Sequence, residues 1–122
     1  MAVPSEDRAF EVQLALAGFL AGYSGNMRLA YQQDLRQFAS WCHNQELTLL
    51  AVRRIDIGLF ARWLEHKGAA PATIERRLST VTGFYRYYVD AELLTRNPAA
   101  NVRRLRLRAI AHETRTERAL GL

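Results

Sequence analysis

Sixteen of the 17 basic residues in this chain are arginine, and Lys67 is the only lysine. Arginine presents a flat fork of donors that suits phosphate oxygens and guanine edges, so its clusters are where chemistry is sought first. One cluster lies between residues 73 and 87. At about 100° per residue, Thr73, Arg76, Thr80, Gly83 and Tyr87 share one helix face, with Arg77 and Phe84 at its edge. Two arginines between two threonines, beside a glycine that permits close approach, suit a nucleic-acid duplex. A second face carries Gln32, Gln33, Arg36, Ser40 and His43, with Arg28 on its flank; it is polar but not acidic. A third cluster is the run Arg103, Arg104, Arg106 and Arg108. The alternative for each is a solvated surface with a basic tail, and an arginine-rich composition also follows from a GC-rich genome.

The charge is unevenly spread. Residues 1–50 hold three bases against five acids, whereas residues 51–122 hold 14 bases against seven acids. The whole carries +5, with a pI near 10.0. This asymmetry is the footprint of a polyanion-binding surface. The composition, 49% hydrophobic and 24% charged, excludes a wholly disordered chain. A length of 122 residues fits one domain. No apolar run reaches the roughly 18 residues of a membrane span. Acids precede any apolar stretch at the N-terminus, the reverse of a secretory signal. The lone Cys42 permits no internal disulfide and suits a reducing cytoplasm. The three histidines and the cysteine make no zinc spacing, so neither metal nor cofactor is expected.

The elements that must position these clusters read as helices throughout, with Gly and Pro between apolar-periodic segments. The first helix is expected over 6–21, capped by Ser5, with Phe10, Leu14, Ala17 and Leu20 or Ala21 as its apolar stripe. The second spans 26–43, capped by Ser24 or Asn26, with Met27, Tyr31, Leu35, Phe38 and Cys42 inward. A connector over 45–53 tucks Leu47, Leu49 and Leu50 against the bundle. The third spans 56–67 with Asp56 as its cap; Leu59, Phe60, Trp63 and Leu64 pack inward and Gly68 ends it. The fourth spans 71–91, opening on Pro71, with Ile74, Leu78, Val81, Tyr85 and Val89 as its core stripe. Asn97-Pro98 starts a short fifth helix over 98–103. Cys42 reads as a small buried hydrophobe, while Tyr87 points outward and invites a partner.

Four stretches in order carry a resemblance: Tyr31-Gln-Gln-Asp-Leu35 with Phe38 and Trp41; Pro71-Ala-Thr-Ile74; Arg77-Leu-Ser79 with Phe84, Tyr85 and Tyr88; and Asn97-Pro98-Ala99. The series resembles the N-terminal core-binding domain of tyrosine recombinases of the Xer and phage-integrase type, over about residues 8–107. The resemblance implies an all-α fold, an orthogonal bundle of four to five helices called SAM-like. It divides the chain into a core-binding domain over 1–107 and, over 108–122, a linker towards an absent catalytic domain. In that family the domain clamps one face of the core site, with the second and fourth helices towards the major groove. Carried over by position, Thr73 meets a phosphate, and Arg76 and Arg77 contact phosphates or base edges with Thr80 beside them. Arg28, Gln32 and Arg36 are the counterparts on the second helix, and Arg103, Arg104, Arg106 and Arg108 match the linker. Met27 stands where the family often has threonine, so no phosphate contact is carried over to that position.

The family's chemistry needs a catalytic arginine, a lysine, a His-x-x-Arg motif, a later His or Trp, and a tyrosine nucleophile. His112-Glu-Thr-Arg115 matches His-x-x-Arg by spelling, but only seven residues follow Arg115 and none is tyrosine. It sits in the expected linker and is not assigned a catalytic role. The expectation is therefore a non-catalytic DNA-binding module, part of a longer recombinase or a truncated gene. It has double-stranded DNA and other protomers on DNA as partners, no small-molecule substrate, and a monomeric state in isolation. Its expected location is the cytoplasm, at the nucleoid when bound. Two alternatives remain at this level: a helix-turn-helix-like regulator using the third and fourth helices around Lys67 to Ala70, and a helical protein-interaction module.

Overall fold

The computed structural model describes residues 5–100, with side chains from residue 13 onward. The elements are α1 (Ser5–Leu20), α2 (Gly25–Asn44), a 3₁₀ turn (Leu49–Ala51), α3 (Arg54–His66) and α4 (Pro71–Asp90). No strand occurs among the described residues. Helix α4 packs against all three other helices, most extensively against α2, and so forms the axis of the bundle.

Local sequence explains the starts and stops. Pro71 occupies the first turn of α4, where its missing N–H costs nothing and its fixed φ suits the helix. Three helices end in the same device. After α3, the Gly68 N–H donates to the Glu65 carbonyl and the Ala69 N–H to that of Leu64, with Gly68 at φ +83. The ends of α2 and α4 repeat this Schellman pattern through Glu46 and Leu47, and through Glu92 and Leu93. There a glutamate takes the left-handed position, at φ 59 and φ 63 respectively, where glycine would sit without strain. The start of α3 lies two residues before the expected one. Asp56 is therefore inside its first turn, and its Oδ2 accepts the Arg53 N–H at 2.9 Å.

The core is aromatic. Phe38 meets Phe60 edge-on at 5.0 Å, and Phe84 meets Tyr88 at 4.6 Å. Tyr85 is fully buried, and its hydroxyl donates to the Leu49 carbonyl at 2.7 Å. That bond ties α4 to the connector between α2 and α3. The expected inward residues Leu35, Phe38, Cys42, Phe60, Leu64, Ile74, Leu78, Val81 and Tyr85 are all buried. Burial pushes the Cys42 thiol up to about 12, with the Asp56 carboxylate adding to the effect.

Several inward assignments are corrected. On α1, Leu14 and Ala17 are exposed while Ala15 and Phe19 are buried; of the two alternatives at its end, Leu20 is half-buried against the core and Ala21, just past the helix, is exposed. The reason is the close approach of α1 to α4 at Gly18. A Cβ there would come within 2.8 Å of the Tyr87 Cζ, so glycine sets which face of α1 docks. Phe10 lies outside the described side chains. Met27 lies in the first turn of α2 and is 55% exposed. On α3, Leu59 is exposed and Ile57 and Ala61 take the core positions, because the helix is rotated by its contact with α4.

The fourth helix departs furthest from expectation. A face expected to be open is largely covered, because α4 is central and has neighbours on two sides. Thr80 and Phe84 are buried, and Gly83 and Tyr87 are half-buried. Phe19 of α1 packs edge-on to Phe84 at 5.8 Å and to Tyr87 at 6.4 Å. Tyr87 thus has its partner within the bundle. The solvent-facing ridge of α4 instead carries Glu75, Arg76, Ser79, Arg86 and Asp90. Of the expected fifth helix, only a turn over 98–100 falls within the described residues. Asn97 does begin it: its Oδ1 accepts the Ala99 N–H at 2.9 Å and its Nδ2 donates to the Thr82 carbonyl at 3.1 Å.

Candidate nucleic-acid interface

The site is built where α2 crosses α4. Asp34 projects from α2 into this crossing, and its side chain is only 1% exposed. A carboxylate so placed needs compensating donors, since leaving one unpaired in a dry interior is strongly unfavourable. Helix α4 supplies them from positions 76, 77 and 80. Arg76 Nη2 donates to Asp34 Oδ1 at 3.0 Å. Arg77 Nε lies 3.6 Å from the same oxygen. Thr80 Oγ1 donates to Oδ2 at 2.9 Å. The Thr80 oxygen is also 3.1 Å from the Arg76 carbonyl, but its single proton serves the charged acceptor better.

The two arginines are not equivalent. The Arg76 side chain is 49% exposed and that of Arg77 25%. Arg76 is therefore held at its inner edge and open at its outer one. Beside it lies a small recess of about 110 Å³, walled by Phe19, Tyr23 and Tyr31 and rimmed by Arg76, Ser79 and Gly83. Tyr23 and Tyr31 meet edge-on at 4.7 Å in this wall. At the crossing Arg77 stands beside Arg76 on the same carboxylate, whereas Arg36 is exposed on a different face of α2, in a groove with Trp41 and Trp63.

The expected site residues divide into three groups. Gln32 and Arg36 are exposed on α2, as their periodicity implied, and Arg76 is exposed on α4. Thr73 and Arg77 are half-buried. Arg28 is exposed with its Nε engaged, and Thr80 is engaged inside the fold. Arg28 Nε donates to the carbonyls of Leu20 at 3.1 Å and Tyr23 at 2.8 Å, closing the end of α1. Thr80 is buried and bonded to Asp34, which corrects its placement on an open face. Arg103, Arg104, Arg106 and Arg108, and His112 to Arg115, lie outside the described residues.

Two kinds of residue escaped the sequence reading. Ser79 and Arg86 belong to the exposed ridge of α4, and their recognition needed the true rotation of that helix. Asp34 had a legible signal. It stands three residues after Tyr31 and four before Phe38, and so falls on the inward stripe of α2. An acid on an apolar stripe calls for a cationic partner, and Arg76 and Arg77 are that partner.

Residues 19–92 match the family described as phage integrase, N-terminal SAM-like domain. The chain belongs to this family. Its all-α bundle is accordingly a SAM-like domain. Among curated relatives, it is 37% identical over 78 residues to tyrosine recombinase XerC of Treponema denticola, covering 64% of this chain and 26% of that protein. It is 33% identical over 81 residues to tyrosine recombinase XerD of Pseudomonas aeruginosa, covering 66% of this chain and 27% of that protein. With XerD of Chlorobaculum tepidum the identity is 29% over 85 residues, covering 70% and 28% of the two chains. The chain thus spans about a quarter of the length of the relatives it matches. No solved structure matches it significantly. None of the helices among the described residues is long and apolar enough to cross a membrane. No group of three metal-ligating side chains occurs among them.

Proposed function

We propose that this chain is the DNA-binding domain of a site-specific tyrosine recombinase, gripping duplex DNA of the recombination core site across the α2–α4 crossing. The observation that carries this reading is Arg76. Its inner edge is fixed to a buried carboxylate, and its outer edge is exposed beside an aromatic-walled recess and the polar Ser79. A surface guanidinium needs no such anchor merely to be solvated. Arg36 and Gln32, exposed on another face of α2, would add separate contacts, and Arg77 lies beside Arg76 at the same carboxylate. The basic run Arg103 to Arg108 would extend the contact along the backbone as the linker leaves residues 1–107. Thr80 serves the surface by holding Asp34 rather than by touching DNA, while Arg28 closes α1 through Nε and, being exposed, would also reach the DNA backbone. Strand exchange itself would be the work of a separate catalytic domain in the parent protein.

The test is fluorescence anisotropy on a labelled random-sequence duplex at several salt concentrations. Binding should weaken steeply with salt, by about 0.9 in log–log slope for each phosphate neutralised. Arg76→Ala should flatten the slope if Arg76 meets a phosphate, or cost about 1–3 kcal/mol on a preferred site if it reads a base. An absence of salt-sensitive binding, even at low salt, refutes the proposal.

A further inference from the structure

Resting on the DNA-binding reading above, we propose that Asp34 is a positioning residue that makes the α2–α4 face selective. It withholds part of the charge of Arg76 and Arg77 from phosphate and fixes the direction of the donors that Arg76 has left.

The geometry separates these two effects. A phosphate oxygen approaching Arg76 Nη2 or Arg77 Nε would compete with Asp34 Oδ1, which already lies 3.0 Å and 3.6 Å from them. Asp34 cannot swing out to solvent, because its side chain is 1% exposed and Thr80 grips the other oxygen at 2.9 Å. Together the three ionised groups amount to one positive charge rather than two. Contacts to phosphate reward charge, whereas contacts to base edges reward direction. A guanidinium pinned at one nitrogen has lost most of its freedom before any ligand arrives, so less is given up on binding. The buried carboxylate therefore lowers indiscriminate attraction and sharpens directional contact at the same residue. The recess beside Arg76 lies within reach of the same donors and gives the oriented side chain a shaped neighbour.

Asp34→Asn separates charge from shape, because asparagine keeps an acceptor for Arg76 and can donate to Thr80. Wild type would first be used to select a preferred duplex from a random pool. Affinities of both proteins for the preferred and a random duplex would then be measured against salt. For Asp34→Asn, random-duplex affinity should rise by up to about eightfold near 0.1 M salt, the log–log slope should steepen by about 0.9, and the preferred-to-random ratio should fall. An unfolded basic chain also binds DNA non-specifically, so circular dichroism and a thermal melt would first establish that the variant is folded. A folded Asn variant with unchanged or weaker random-duplex binding overturns the proposal. Should that variant not fold, Thr80→Val decides: losing the hydroxyl grip while keeping the charge should lower the preference ratio, and an unchanged ratio overturns the proposal. A wild type that binds no DNA overturns the DNA reading itself, and this inference with it.

Discussion

Tyr85→Phe removes one oxygen from the centre of the bundle and leaves the ring contacts in place. The ring sits among Phe38, Phe84 and Tyr88, with centroids at 6.1, 5.6 and 5.9 Å, and none of this packing depends on the hydroxyl. What is lost is the donor to the Leu49 carbonyl at 2.7 Å. A buried hydrogen bond of this kind contributes about 0.5–1.5 kcal/mol net, rising to about 3 when its partner is left without a donor. The expected loss is therefore about 1–2 kcal/mol at pH 7, read by urea or thermal unfolding. Alkaline pH supplies a second, independent signature. Burial raises the Tyr85 hydroxyl well above its ordinary range, and the neighbouring Cys42, Tyr88 and Asp56 push the same way. The folded state keeps this proton while the unfolded chain releases it above about pH 10. Wild-type stability contributed by that protonated group is thus complete below pH 10 and declines above it, by up to about 1.4 kcal/mol per pH unit. Phenylalanine has nothing to titrate, so the gap between the two proteins should narrow from pH 9 to 11. Equal stability at pH 7, or a gap that stays constant over that range, would refute the assignment of Tyr85 as a buried donor.

Gly18→Ala should destabilise the protein by about 0.5–2 kcal/mol in chemical denaturation, because the new methyl displaces the Tyr87 ring from Phe19. In a Tyr87→Ala background the same change should turn stabilising by about 0.5–1 kcal/mol, the ordinary preference of a helix for alanine over glycine. Glu92→Gly should relieve the left-handed strain at the end of α4 and stabilise by up to about 1 kcal/mol, read as a rise in urea midpoint. The Cys42 thiol, buried and titrating near 12, should react with a disulfide reagent at neutral pH only as fast as the protein opens. Below its ordinary value of about 8.5 the protonated thiol contributes its full stability, and between there and 12 that contribution is lost as the unfolded chain ionises.

Much of this molecule is legible in order along the chain. The apolar steps Leu35–Phe38–Cys42 and Ile74–Leu78–Val81–Tyr85 set the buried faces of α2 and α4, because a helix with a continuous apolar stripe has one way to bury it. Pro71, Gly68 and Asn97 mark boundaries because their backbone chemistry acts within a few residues. The unequal charge of the two halves, and the motifs that place the chain in its family, are likewise properties of the string of residues alone. Tertiary structure decided what depends on a second helix. Leu14 and Leu59 are as apolar as their buried neighbours, and only the docking of α1 at Gly18 and the rotation of α3 leave them in water. The glutamates that end α2 and α4 show no local sign of a left-handed backbone, which the closing hydrogen bonds impose. The same holds for the candidate site. Periodicity can put Arg76, Arg77 and Thr80 on one side of α4, but whether that side meets water, a ring or a carboxylate is set by residues some 42 to 46 positions away. Burial of Asp34 turns two of these residues inward and leaves the outer edge of Arg76 to face a partner. A charge's surroundings, unlike a helix's stripe, are assembled from distant segments and exist only in the folded state.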